Sequence, residues 1–153
     1  MEIKKYGERI LRKKTRPVAE VNDEIRQLVA FMVKEMYAHQ GVGLAANQIG
    51  IDLNLAVVDV GNGVRILINP KILKAEGQTV EEEGCLSLPG KFFKIKRPQY
   101  VEVEALDRFG RLKKIKAQDY EARAFCHEID HLNGRLIIDK AGFWQRLKYR
   151  FKL

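Results

Sequence analysis

No stretch of the 153-residue chain approaches the roughly 18 to 20 apolar residues needed to cross a bilayer. The most apolar run, Leu53 to Val60, is interrupted by Asn54 and Asp59. The N-terminus, Met1-Glu2-Ile3-Lys4-Lys5, lacks the apolar core of a signal peptide, and Glu2 and Glu8 argue against a transit peptide. A soluble cytoplasmic protein, outside the membrane, is the expectation. Cysteine is scarce: Cys85 and Cys126 are the two present. They allow one disulfide by count, whereas a small secreted framework carries more, together with a signal peptide. In a cytosolic chain, cysteines near histidine and glutamate read better as ligands or nucleophiles. Acidic residues are outnumbered, 20 against 28 Lys and Arg, for a net charge of +8. That balance suits an acidic partner such as nucleic acid, an anionic membrane or the ribosome. It equally suits a lysine-rich surface that only keeps the protein soluble. Repeats and low-complexity stretches are lacking, which excludes solenoids and disordered tracts. What remains is a chain 46% apolar, of a length that fits one domain over residues 1–153.

Residues 1–20 are basic, end in a Pro17 break, and read as an extended arm lying on the body. Asn22 is an expected helix N-cap, followed by Asp23 and Glu24 in the first turn. Ile25, Leu28, Val29, Met32, Val33 and Met36 then recur at helical spacing, predicting a helix to about Ala38. Gly41-Val42-Gly43 ends it and starts a loop. Leu53–Asp59 and Val64–Asn69 read as strands around a Gly61-Asn62-Gly63 hairpin turn. Ile72–Glu76 and Thr79–Glu83 read as further strands around Gly77. Tyr100–Leu106 alternates, and Phe109-Gly110 turns the chain into a basic strand, Arg111–Ala117. Asp119 is the expected cap of a helix running to Asn133, with Gly134 as its stop. Leu136–Ile138 reads as a short strand. Phe143–Leu153, with Arg146, Lys148, Arg150 and Lys152, reads as a short amphipathic helix. The class is α+β: antiparallel or mixed sheets around a central helix, with a helix near each end.

The chemistry concentrates in His127-Glu128-Ile129-Asp130-His131, an H-E-x-x-H pattern. Positions i and i+4 share one helix face, so two imidazoles can hold one ion while the glutamate moves a proton beside them. The chain has three histidines, and two of them fall here. The bland alternative is a helix with buried, satisfied histidines. Phe125, Ile129 and Leu132 fit a core-facing stripe on the other side. Catalytic sites usually have three protein ligands and an open position. Cys85, in Glu83-Gly84-Cys85-Leu86-Ser87, is the natural third candidate. Cys126 is the rival, but it lies about 100° around the axis from His127, and a small buried apolar role suits it better. A thiolate with two imidazoles suits Zn²⁺, Fe²⁺, Co²⁺ or Ni²⁺.

A third segment, Gly41-Val42-Gly43-Leu44-Ala45-Ala46-Asn47-Gln48, lacks the G-K-[ST] ending of a phosphate loop. Its small residues allow close approach of another chain, and Gln48 can donate from a neutral amide to a developing oxyanion. A tight connection with a surface glutamine is the alternative. Together, GVGLAANQ, EGCLS and HEIDH, in this order and spacing, resemble the signature motifs of the peptide deformylase family. The likeness covers about residues 1–140, including the start Tyr6-Gly7-Glu8-Arg9-Ile10-Leu11-Arg12.

The resemblance implies removal of the formyl group from N-formylmethionine on nascent polypeptides. It implies a metal, typically Fe²⁺ and replaceable by Zn²⁺, Ni²⁺ or Co²⁺, held by Cys85, His127 and His131. It implies Glu128 as general acid/base, Gln48 and the Leu86 backbone N–H as oxyanion donors, and the Gly43 backbone as a binder of extended peptide. Val42 and Ala124 are candidates for an apolar methionine pocket, with Tyr120 and Arg123 at its rim. Two departures stand out. Cys126 occupies the place where the family usually has Gln, and the C-terminal tail is short. That tail would offer a reduced ribosome contact, or only a solvated basic end; a monomer is expected. Two competing classes share parts of the pattern. A metallopeptidase shares H-E-x-x-H but does not explain the Cys85 segment. A zinc-stabilised RNA-binding module explains the charge but not Glu128 or Gln48.

Overall fold

The computed structural model describes the backbone of residues 2–152 and the side chains of residues 2–148. The first long element is α1 (Asp23–Ala38). The Asn22 side chain accepts the Ile25 N–H at 3.0 Å, which satisfies an amide that the first turn leaves unpaired. Ile25, Val29, Met32 and Met36 form its buried stripe, with Leu28 and Val33 half-buried alongside. The helix stop differs from expectation. The left-handed residue is Gln40 (φ 57°), and the Gly41 N–H returns to the Met36 carbonyl at 2.9 Å. Gly43 belongs to a strand rather than to a loop.

Seven strands follow among the described residues: β1 (Gly43–Ala45), β2 (Leu55–Val58), β3 (Arg65–Glu76), β4 (Thr79–Cys85), β5 (Leu88–Arg97), β6 (Tyr100–Leu106) and β7 (Leu112–Gln118). Five form one sheet in the order β1-β2-β3-β6-β7, while β4 and β5 form a separate pair. Every pairing among the described residues is antiparallel, so the mixed alternative falls away. The turn before β3 is held by Asp59, whose carboxylate accepts from the Gly61 and Gly63 amides. Two expected strands, Val64–Asn69 and Ile72–Glu76, are one. The β3 strand carries Asn69-Pro70 through register shifts against β6, with Asn69 at φ 51°. Gly77 is therefore not a hairpin turn: the chain leaves one sheet after β3 and enters the other at β4.

The remaining helices are α2 (Asp119–Leu132), α3 (Ile137–Lys140) and α4 (Phe143–Lys152). Strand β2 is buried on both faces: Leu55 and Val57 meet the α1 cluster, while Ala56 and Val58 meet the α2 cluster. The apolar side of α2 (Phe125, Ile129, Leu132) packs on Val101, Val103 and Leu67. Its other side faces the β4–β5 pair, as hydrogen bonds from Arg123 and His127 to Glu83 show. The central helix thus sits between two antiparallel sheets.

Two boundary expectations are corrected. Asp119 does not cap α2: that position is held by Gln118 without a side-chain bond, and the Asp119 carboxylate meets Gln99 Nε2 at 3.4 Å. Leu136–Ile138 is not a strand. The Leu136 N–H donates to the Asp139 carboxylate at 2.9 Å, which starts the short helix α3, and both Leu136 and Ile137 pack with Leu11 and Ile95. Gly134 does stop α2. Its φ is 74°, and a Cβ there would lie 2.6 Å from the Arg12 carbonyl oxygen, so the N-terminal arm can close over the helix end only at glycine. The Leu132 carbonyl, left free by the helix, accepts from both the backbone and the hydroxyl of Thr15.

Candidate metal centre

His127 and His131 lie one turn apart on the non-core side of α2, with ring centroids 4.9 Å apart. Cys85 ends β4 and brings its sulfur 3.2 Å from His131 Nε2. One ligand atom from each of the three residues lies within 4.8 Å of the others. That is the scale of an ion with ligand bonds of about 2.0 to 2.3 Å. Burial alone would raise the Cys85 thiol, but its neighbours His131 and His127 hold it well below its usual range. Burial would lower His127, yet Glu128 and Cys85 hold its imidazole well above its usual range. A cluster that already favours a thiolate beside bound protons is a donor set that a divalent cation fits, exchanging protons for the ion.

The supporting residues fix these groups. His127 Nδ1 meets Glu83 Oε1 at 2.9 Å, which leaves Nε2 for the cluster. Arg97 grips the same carboxylate from two nitrogens at 2.9 and 3.0 Å, and Arg123 adds a contact of 2.6 Å. Burial pushes the Glu83 carboxyl up, but His127 and Arg97 more than offset it, so it falls to about 2. Asn47 donates to the His131 carbonyl at 2.6 Å, anchoring the last turn of α2.

Glu128 is 3% exposed, and its Oε1 has no protein partner among the described residues. Burial raises its carboxyl, with the two histidines pulling the other way. A buried carboxylate with a raised pKa and a free oxygen is suited to accept a proton. Its placement requires Gly43, because a Cβ there would lie 2.4 Å from Glu128 Oε2. Gln48 is oriented rather than free: the Ala45 N–H donates to its Oε1 at 3.0 Å, which turns Nε2 toward Ser87 Oγ (3.2 Å) and Cys85 Sγ (3.7 Å).

A cavity of about 530 Å³ opens over this cluster, lined by Val42, Gly43, Gln48, Cys85, Leu86, Ala124, His127 and Glu128. All the expected site residues are therefore brought together, with His131 beneath the wall. Tyr120 is exposed at the rim. Arg123 also lines the cavity, but as a buried part of its wall: it is 4% exposed and bonds to Glu83, Thr79 and the Ile95 carbonyl. Cys126 sits in the core at 5% exposure, its thiol pushed by burial up to about 11, and both cysteines are free. The sequence reading missed Glu83, Arg97 and Asn47 as supports. Glu83 stood in the quoted Glu-Gly-Cys run, but Arg97 had no local signal, since its partners are distant in the chain.

In the C-terminal helix α4, Phe143 and Trp144 are exposed, and the Gln145 amide bonds both the N–H and C=O of Lys94 on β5. Of the basic residues expected there, Arg146 donates to the Ala141 and Asp139 carbonyls, while Lys148 is exposed. The side chains of Arg150 and Lys152, and Leu153 itself, lie outside the described residues.

The comparisons with known proteins agree with this geometry. The family described as polypeptide deformylase matches residues 1–146. The peptide deformylase of Thermoanaerobacter pseudethanolicus is 52% identical over 139 residues, covering 91% of this chain and 87% of that protein. The crystal structure of peptide deformylase from Thermotoga maritima superposes with a TM-score of 0.90 at 41% identity, covering 92% of this chain and 97% of that one. A peptide deformylase from Synechococcus elongatus, in complex with actinonin, gives a TM-score of 0.95 at 38% identity, covering 99% and 85%. Motif order, donor geometry and likeness along nearly the whole length lead to one assignment: the chain belongs to the polypeptide deformylase family.

Proposed function

We propose that this chain is a metal-dependent hydrolase that removes the formyl group from N-terminal N-formylmethionine of newly synthesised polypeptides, releasing formate. The observation that carries the reading is the meeting of the Cys85–His127–His131 donor set with an unpartnered, buried Glu128 carboxylate oxygen in one cavity. The ion we assign is Fe²⁺, with Zn²⁺, Ni²⁺ or Co²⁺ as replacements compatible with one thiolate and two imidazoles. A divalent ion held by these residues would supply Lewis acidity to the hydrolysis.

The chain's own groups do the rest. Gln48 Nε2, locked by Ala45, and the Leu86 backbone N–H donate to the oxygen of the formyl carbon as it becomes anionic. Glu128 takes a proton from water and passes it to the departing amine, so water and the formamide become formate and a free N-terminus. Val42 and Ala124 offer apolar wall to the methionine side chain. The Gly43 segment, on the outer edge of the five-stranded sheet, offers unpaired backbone to an extended peptide.

We further read residues 1–153 as one domain that acts as a monomer in the cytoplasm, with the C-terminal basic helix as a ribosome contact. No helix among the described residues is long and apolar enough to cross a membrane. The deciding experiment incubates metal-loaded protein with formyl-Met-Ala-Ser. Formate release with peptide bonds intact is the expected result, and internal cleavage would place the chain among the metallopeptidases. Metal analysis of anaerobically purified protein tests the iron assignment. Ferrous enzyme should lose activity in air, since the ion and its thiolate both oxidise; full activity after hours in air would overturn it.

A further inference from the structure

We propose that the β6–β7 hairpin and the recess beside it form a binding surface for single-stranded RNA, separate from the metal cavity. Residues 108–116 hold Arg108, Arg111, Lys113, Lys114 and Lys116 and no acidic residue. A second cavity, of about 520 Å³, is lined by Arg65, Arg108, Lys113, Lys114 and Lys116 against a single carboxylate, Asp107. It shares no lining residue with the cavity over the metal ligands. The Asp107 carboxylate is engaged with its own turn, accepting the Phe109 and Arg111 amides at 2.9 and 3.0 Å. Some of the cations are committed: Arg65 meets Glu121 at 3.3 Å, and Lys116 meets Glu102 at 3.9 Å. Arg108, Lys113 and Lys114 have no ion pair within bonding distance among the described residues, so net positive charge remains there.

Charge alone would suit any polyanion, and a second feature narrows the class. Phe109 is 64% exposed at the hairpin tip, and the guanidinium groups of Arg108 and Arg111 lie 5.7 and 5.9 Å from its ring centre. An exposed ring flanked by guanidinium planes is a stacking platform for unpaired bases, with the lysines placed for the phosphates. Lys114 and Lys116 share one face of β7, about 7 Å apart. That strand is an edge of the five-stranded sheet. An acidic polypeptide would use the charges but leave the ring without a partner.

The test is fluorescence anisotropy of a short unstructured RNA with the full chain, across a salt series, with poly-glutamate as competitor. Formate release from formyl-Met-Ala-Ser reports that each variant is folded. Lys113→Glu with Lys114→Glu should weaken RNA binding at least about 10-fold. It should also flatten the log–log salt slope by about 1.4, because two fewer phosphates are neutralised. Phe109→Ala should weaken RNA binding about 5-fold or more while leaving poly-glutamate binding unchanged. Lys14→Glu with Lys34→Glu, two exposed lysines on the N-terminal arm and α1, should leave RNA binding unchanged. The proposal is overturned if wild-type protein fails to bind RNA at low salt, or if poly-glutamate competes as well as RNA at equal charge. It is equally overturned if the hairpin variants bind like wild type, or if the Lys14 and Lys34 variant alone loses binding.

Discussion

The two faces of α2 both carry deeply buried side chains and are chemically opposite. His131 is 1% exposed and Phe125 fully buried, so burial does not tell them apart. Partners do. On one face Phe125, Cys126, Ile129 and Leu132 belong to the apolar cluster shared with the five-stranded sheet. On the other, His127, His131 and Glu128 meet Cys85, Glu83 and the bare backbone of Gly43. The cysteines show the same contrast. Burial pushes both thiols up; at Cys126 the charge of Arg97 offsets it only in part, whereas at Cys85 two imidazoles reverse it. A helix between two sheets can therefore be a packing element and a reactive element within one turn, because each residue advances about 100° around the axis.

The sharpest way to separate the faces is to delete one group from each. Glu128→Ala should cut turnover by about 100- to 10,000-fold, the usual weight of a positioned general base, while the metal content stays near one equivalent. Formate release and metal analysis on the same sample check this. Loss of the metal would assign Glu128 to the ligand set and blur the division between holding and reacting groups. Phe125→Ala should do the reverse. It removes the largest of the fully buried side chains, which should lower stability by about 3 to 5 kcal/mol in denaturant unfolding. The folded fraction should keep its metal and its turnover.

The two faces also differed in how readily the sequence revealed them. The apolar face follows a 3.6-residue period, and α1 was readable to its bounds from Asn22 and its stripe. The donor set was readable because H-E-x-x-H is local and Cys85 lies in a short motif. The groups that hold the donors were not. Arg97 grips Glu83 from 14 residues away and Arg123 from 40, and no local pattern encodes such a meeting. Strand β5 escaped because Lys94 and Lys96 mask the buried alternation of Phe93, Ile95 and Arg97. Strand β3 looked broken because Asn69-Pro70 signals a turn, yet the pairing with β6 absorbs it as a bulge. The short helix α3 was mistaken for a strand because Leu-Ile-Ile favours extended backbone until Asp139 caps the turn.

The hidden support gives a milder test of the same comparison. Glu83→Gln keeps the shape but removes the charge that orients His127 and pairs with two arginines. Metal affinity should fall about 10- to 100-fold, as for other outer partners of a ligating histidine. A competition titration against a chelator measures it. Phe125→Ala, corrected for its folded fraction, should leave that affinity unchanged. If both variants weaken the metal equally, the two faces are one cooperative unit rather than two.

The smallest expected effect lies in Cys126, and pH isolates it. Its thiol moves from an ordinary 9 up to about 11 in the folded chain, because burial disfavours the thiolate. The sign follows from linkage: the fold favours the neutral thiol, so the contribution is complete below about pH 9 and is lost as pH rises toward 11. At pH 10 the wild type should have lost roughly 1 kcal/mol relative to pH 8 beyond what Cys126→Ala loses. Tyrosines, lysines and Cys85 titrate in both proteins, so the difference between the two pH profiles belongs to Cys126. Paired denaturant curves at the two pH values read it directly. Equal losses would mean that the Cys126 thiol is not held neutral by the core, and the contrast with Cys85 would then rest on one cysteine alone.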